Sequence, residues 1–197
     1  ALPRKMTEGE QKMFKGWFPN LKVENTVVSG ESNYRYNCIS WTVGETQRWF
    51  WPPSMYPGVS GEEAFDKFYA SYGLKPAPEG GKTGDVARWR NDRELTHGCV
   101  SGEGHGPNWE SKCGSSLRIQ HTLPELEGQV YGWADKFYVR ETEPPPAQEP
   151  APVPEKVKKA AAEAAEKVDP KVKSEFDKNY SQWVQFRNNP KLRKESD

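Results

Sequence analysis

Cysteine, histidine and methionine are scarce, with three of each in 197 residues. An odd, low cysteine count does not build a disulfide framework, and it leads us to expect a reducing compartment. Cys99 and Cys113 would be the pair to form if the protein were secreted. Charge of one sign is also lacking: 28 Lys and Arg balance 28 Asp and Glu. That balance leaves no electrostatic footprint for nucleic acid or for an anionic membrane surface. No apolar run approaches the ~18 residues of a membrane span. The start, Ala1 to Met6, carries no apolar signal core and no initiator Met, so we expect a processed or trimmed N-terminus. There is no phosphate-cradling glycine loop, no paired-carboxylate signature and no internal repeat. A soluble protein is expected, cytoplasmic ahead of secreted.

What is abundant is aromatic. Eight Trp, eight Tyr and eight Phe are present, and seven of the Trp precede residue 141. Large rings bury much area each, so about 140 residues can build a core despite modest Leu and Ile content. Glycine is likewise concentrated before residue 143. The composition then breaks at Glu143-Pro-Pro-Pro-Ala-Gln-Glu-Pro-Ala-Pro-Val-Pro154, an extended polyproline linker. We therefore expect a domain over 1–143, a linker over 144–154 and a helical tail over 155–197. Within the tail, Asp169-Pro170 caps and opens a helix. Val172, Phe176, Tyr180, Trp183, Val184 and Phe186 lie on one stripe of it. That stripe over residues 170–187 either docks on the domain or serves a protein partner or self-association.

Within the domain, the patterns predict helices over Thr7 to Phe18, Asn37 to Val43 and Gly61 to Tyr72. Strands follow over Asp85 to Arg90, Glu94 to Val100, Trp109 to Ser115 and Gln129 to Arg140, with an apolar stretch at Leu117 to His121. Helices first and a meandering sheet after them is an α+β pattern, with the N-terminal helices packed on an antiparallel sheet of four to five strands.

The most informative block is Tyr34-Arg-Tyr-Asn-Cys-Ile-Ser-Trp-Thr-Val-Gly44. Asn37 caps a short helix and Cys38 opens it, where the helix dipole favours a thiolate. The competing reading of Cys38 is a small buried residue beside Trp41. His97 follows in a strand, and alternation places it on one face with Leu95 and Cys99. It is either a base for the thiol or a core histidine. Trp109, Ser111 and Cys113 share a face of the next strand. His121 shares one with Leu117 and Ile119, which makes it, ahead of Asn108 and Glu110, the candidate to hold the His97 ring. The Cys38 backbone N–H, with the Asn37 side chain or the Tyr36 hydroxyl, would supply oxyanion donors. Trp41, Trp49 and Trp51 either wall a substrate cleft or pack in the core. His105 lies in a Gly/Pro turn and should be solvated. His97, Cys99, Cys113 and His121 form a Cys2His2 set, but their spacing matches none of the common structural zinc patterns, so we expect no metal and no cofactor.

Three blocks together resemble an uncharacterised domain family of bacterial and fungal proteins. They are Tyr36 to Pro52, Thr96-His97, and Trp109-Glu-Ser-Lys-Cys-Gly114 with Ile119 to His121 and Tyr131-Gly132. The resemblance spans roughly residues 10 to 141. That family in turn resembles papain-like cysteine hydrolases, especially the compact NlpC/P60-like peptidases and amidases, by the order of cysteine helix, histidine strand and later polar strand residue. The resemblance implies a thiol hydrolase of a peptide, isopeptide or other amide bond. Cys38 would be its nucleophile, His97 its base and His121 its orienting member. The alternative is a non-catalytic protein-binding or effector module that keeps the fold and engages a protein through the aromatic cleft and the C-terminal amphipathic helix.

Overall fold

A computed structural model of the chain describes residues 1–78, 84–101 and 108–141. The Pro-rich linker, the predicted tail helix and His105 lie outside the described residues. Eight strands form one antiparallel sheet. They are β1 (Arg4–Lys5), β2 (Val27–Gly30), β3 (Leu74–Pro76), β4 (Val86–Arg90), β5 (Leu95–Ser101), β6 (Trp109–Lys112), β7 (Arg118–His121) and β8 (Trp133–Arg140), in the spatial order β1-β2-β7-β6-β5-β4-β8-β3. The helices are α1 (Glu8–Trp17), α2 (Cys38–Thr42), α3 (Pro52–Met55), α4 (Gly61–Ser71) and α5 (Leu123–Leu126).

The fold is α+β as expected, but the sheet is wider than four to five strands. Three of the additional strands have two, four and three residues: β1, β2 and β3. Runs that short carry too little alternation to register as strands. They form by pairing at the sheet's two ends, β3 on the eight-residue β8, β2 on β7 and β1 on β2. The helix signals held locally. Thr7 and Glu10 form a reciprocal capping box at α1, and the Ser60 hydroxyl accepts from Glu63 N–H at α4. Gly44 and Gly73 follow α2 and α4 with φ of 74° and 75°, the left-handed turn that ends a helix. The predicted strand from Gln129 starts four residues late, at Trp133. Before it, Gly132 (φ 75°) passes so close to β4 that a Cβ there would lie 2.0 Å from the Arg90 carbonyl oxygen.

Helices cover both faces of the sheet, so the aromatic residues divide into two cores. On one face α1 and α5 bring Phe14, Trp17, Phe18 and Leu126 against Trp89, Cys99, Trp109, Ile119 and Tyr131. On the other, α2, α3 and α4 bring Cys38, Ile39, Trp51, Phe65, Phe68 and Tyr69 against Val86, Leu95 and Tyr138. Each such ring or aliphatic chain taken fully out of water contributes roughly 1.5–3 kcal/mol before the entropy of ordering it. Among the described residues no helix is long and apolar enough to cross a membrane.

Candidate functional site

The helix start is built as its sequence suggests. The Asn37 Oδ1 accepts from Ser40 N–H at 3.0 Å and from the Ser40 hydroxyl at 2.6 Å, and its Nδ2 donates to the Phe50 carbonyl at 2.8 Å. The side chain is therefore committed to capping α2 and tying down the following loop, not to a substrate oxygen. Tyr36 is fully buried, with Arg118 Nη1 3.4 Å from its hydroxyl and the Lys112 ammonium 4.6 Å from its ring centroid.

Cys38 is 1% exposed. Backbone N–H groups of Gly98 and Ile39 bond to its sulfur and Lys112 is near, all of which favour a thiolate. Burial outweighs them and pushes the thiol up to about 11. The helix seats on β5 at Gly98. A Cβ on Gly98 would lie 2.8 Å from Ile39 Cδ1, 3.1 Å from the Tyr69 hydroxyl and 3.5 Å from Thr42 Cγ2. Gly98 thus faces α2, and the strand's alternation turns His97 to the opposite face.

There His97 stacks on Tyr131, with ring centroids 3.7 Å apart and planes at 11°, and meets Trp89 edge-on at 5.8 Å. Cys38 and His97 belong to different cores on opposite sides of the sheet. The thiol–imidazole pair expected from the sequence is not assembled, and no cysteine among the described residues pairs with a histidine. The expectation failed at a bulge. In β4 and β5, Trp89 pairs with His97 but the adjacent Arg90 pairs with Leu95, so the register shifts at Thr96. Leu95 therefore joins the α2 side, within 3.5 Å of a Cβ on Gly61, while His97 and Cys99 stay on the other. Unbroken alternation had put all three together.

The two histidines do come together, through a residue the sequence reading placed on the right face but gave no role. The Ser111 hydroxyl lies 2.8 Å from His97 Nε2 and 2.7 Å from His121 Nε2. His121 Nδ1 is 2.8 Å from the Thr122 carbonyl oxygen, which can only accept, so Nδ1 carries the proton and Nε2 is the acceptor. Ser111 then donates to His121, and His97 Nε2–H donates to Ser111. The relay runs in one direction, and both imidazoles are neutral in it. His97 Nδ1 is left as a buried lone pair with no hydrogen-bond partner. Burial lowers His121 to about 4 and takes His97 well below the usual imidazole range, with His121 itself disfavouring a second charge there. His121 thus reaches its expected neighbour, at one remove, but orients it away from Cys38.

Lys112 was also missed. It points to the α2 face, fully buried, and donates to the carbonyls of Asn33 at 2.7 Å, Tyr36 at 3.2 Å and Gly114 at 2.5 Å. Burial pulls its ammonium down to about 7. The signal was a lysine between Ser111 and Cys113 in a strand whose odd positions face one core. Lys112 must then face the other.

The aromatic candidates are mostly core. Trp41 is buried, donates to Glu110 and carries the Arg118 guanidinium 3.7 Å above its ring. Trp51 packs edge-on against Phe65 at 5.5 Å. Trp49 alone is half-buried, its indole N–H on the Tyr34 carbonyl. Cys99 and Cys113 are free and buried, each thiol pushed up to about 12 by burial. Among the described residues no group of three or more His, Cys, Asp or Glu side chains is gathered to hold a metal ion.

These features define an α+β domain with helices on both faces of its sheet, a buried cysteine at a helix start and a buried His–Ser–His relay behind it. The chain belongs to the family described as a domain of unknown function, DUF7689, whose model matches residues 27–139. That stretch contains Cys38, His97, Ser111, Lys112 and His121 and excludes α1. No curated protein and no solved structure matches the chain.

Proposed function

We propose that this domain is a non-catalytic protein-binding module. A cysteine helix is seated on the sheet, but no imidazole among the described residues stands beside the cysteine. The observation that carries the reading is the division of Cys38 and His97 between the two faces of β5. A nucleophile needs its base within hydrogen-bond reach. Here the nearest donors to the sulfur are backbone amides, and the imidazole is spent on Ser111. The side chains of His97, Ser111, His121 and Lys112 are all buried, which suits a rigid scaffold. Tyr34 and Trp133, at 73% and 41% exposed, leave large aromatic surface in solvent, the residue type that anchors protein interfaces.

A thiol hydrolase acting on an amide bond is the second reading. It has one observation in its favour, the convergence of the Gly98 and Ile39 amides and Lys112 on the Cys38 sulfur. The test is hydrolysis of a panel of peptide, isopeptide and thioester substrates by the full chain and by Cys38→Ala. The binding-module reading expects no turnover that depends on Cys38. Turnover lost in Cys38→Ala, with the fold kept, would replace it with the hydrolase.

A further inference from the structure

We infer that the surface made by Tyr56, Tyr72 and Arg48 is the seat of this chain's own proline-rich segment, Glu143 to Pro154, docked in cis. The surface is continuous. Tyr72 follows α4, and its ring centroid lies 5.1 Å from that of Phe68 and 6.1 Å from that of Phe50. Phe50 is the buried floor, and the Arg48 guanidinium lies over its ring at 4.9 Å. Tyr56 follows α3 and packs with Tyr72 on the same apolar cluster. Burial raises the Tyr72 hydroxyl above its ordinary value; Arg48 opposes the rise, while Glu45 and Tyr56 add to it, so these groups share one neighbourhood. Both tyrosines are half-buried, and neither hydroxyl has a hydrogen-bond partner among the described residues. Arg48 is exposed, and its ion pair with Glu45 at 3.4 Å is of the kind that contributes little in solvent. The loop beneath is held in place. Phe50 N–H donates to the Ser40 hydroxyl at 3.0 Å, and Asn37 Nδ2 donates to the Phe50 carbonyl at 2.8 Å. The result is a rigid shelf of aromatic faces with two free hydroxyls and an arginine along it.

The occupant follows from where the described chain stops and what comes after it. Glu141 N–H donates to the Gly73 carbonyl at 2.9 Å, so the chain leaves the sheet beside the residue next to Tyr72. Arg140 reaches the Thr42 carbonyl at 3.5 Å, at the end of α2 from which the Glu45–Arg48 loop departs. Pro144 comes three residues after Glu141, about 9 Å away at ~3.1 Å per residue. A segment tethered that closely has an effective concentration on the order of millimolar at the shelf, which favours it over a partner in solution. Its chemistry also matches. Glu143 to Pro154 holds six prolines, two glutamates and no basic residue. A polyproline helix makes no internal hydrogen bonds, so its carbonyls take outside donors, and its rings pack on aromatic faces. Tyr56 and Tyr72 offer the faces and the hydroxyls. Arg48 offers a donor and the charge opposite to that of Glu143 and Glu149. Such a helix is stiff before it docks, so docking costs little entropy. The inference is independent of the binding-module reading, since an enzyme can carry such a docked segment equally well.

Backbone amide relaxation of the full-length chain, measured by NMR, tests it at Ala147, Gln148 and Glu149, the run of amide protons between the prolines. Docking in cis predicts order parameters near the ~0.85 of rigid backbone for these amides, unchanged on dilution. Arg48→Glu with Tyr56→Phe and Tyr72→Phe keeps the rings and removes the donors, and should drop the order parameters below ~0.6. A second variant leaves the described domain unaltered. Pro144→Gly with Pro145→Gly and Pro146→Gly should shift the ring resonances of Tyr56 and Tyr72 and release Glu149. Order parameters below ~0.6 in wild type overturn the inference. Order retained in the surface variant overturns it as well, because the segment is then stiff on its own account. Tyr56 and Tyr72 resonances that ignore the proline substitutions overturn it even if the surface variant fails to fold. Order that is lost on dilution overturns it in favour of a second copy's segment.

Discussion

Acidification from pH 7 to pH 5 should destabilise this domain steeply, and the His–Ser–His relay is the cause. An imidazole whose folded value lies below its unfolded value of 6.5 binds its proton preferentially in the unfolded state. Its contribution is intact above pH 6.5, declines as pH falls through that value and levels off below the folded value. For His121, held at about 4, the loss between pH 7 and pH 5 is about 2 kcal/mol. His97, lowered by burial and by the neighbouring His121, loses stability in the same direction over the same window. The His121 loss alone is a sizeable part of the ~5–15 kcal/mol typical of a domain. Glu10 and Glu125 are lowered below 4.5, so their losses come at more acid pH; Lys112, held at about 7, adds only a small loss of the same sign at the top of this window. Urea unfolding followed by tryptophan fluorescence should show the midpoint falling by at least roughly 1 M, taking a slope of ~2 kcal/mol per M. His121→Gln should reduce the pH dependence even if it lowers stability at pH 7. A midpoint that moves by less than ~0.3 M between pH 7 and pH 5 would refute the buried neutral relay.

Other substitutions probe the same architecture. Ser111→Ala strands the His97 Nε2–H donor and the His121 Nε2 acceptor in the core, and should cost about 2–4 kcal/mol in chemical unfolding; Ser111→Ala at wild-type stability would mean that the bridge is not formed. Lys112→Met leaves the carbonyls of Asn33, Tyr36 and Gly114 without their shared donor and should lower thermal stability by several degrees, with the loss concentrated in hydrogen exchange of residues 31–37. Gly132→Ala drives a Cβ onto the Arg90 carbonyl at positive φ and should cost more than ~3 kcal/mol or abolish folding; a stable, soluble Gly132→Ala protein would show that this turn is placed differently.

How far the sequence could be read varied with the kind of signal. Local chemistry was legible. The Asn37 cap acts within a few residues and was found where expected, and helices were found over the stretches expected from Thr7 and from Gly61. Strand alternation correctly grouped Trp109, Ser111 and Cys113, and it brought His121 to the His97 side. It failed at β5, where one bulged residue separates Leu95 from His97. A bulge depends on how two distant strands pair, and no residue type at Thr96 announces it. The side on which α2 packs was equally hidden in its own sequence. The informative residue was Gly98, the one position in the strand without a side chain to obstruct a helix, and it selects the face opposite His97. Of the three tryptophans read as a cleft, Trp41 and Trp51 are buried and only Trp49 is half exposed, because a sheet with helices on two faces has two cores to fill.

The central claim, that Cys38 is a buried structural thiol with no histidine partner, is tested most directly by its alkylation rate as a function of pH. Iodoacetamide labelling of the folded full-length chain, read cysteine by cysteine by mass spectrometry, should find Cys38 slow at pH 7, no faster than Cys99 or Cys113. Its rate should still be climbing at pH 10, as a thiol held at about 11 requires. Fast labelling of Cys38 at pH 7 with an apparent titration below ~8, abolished by His97→Ala in a protein that remains folded, would contradict the account and restore the thiol–imidazole pair.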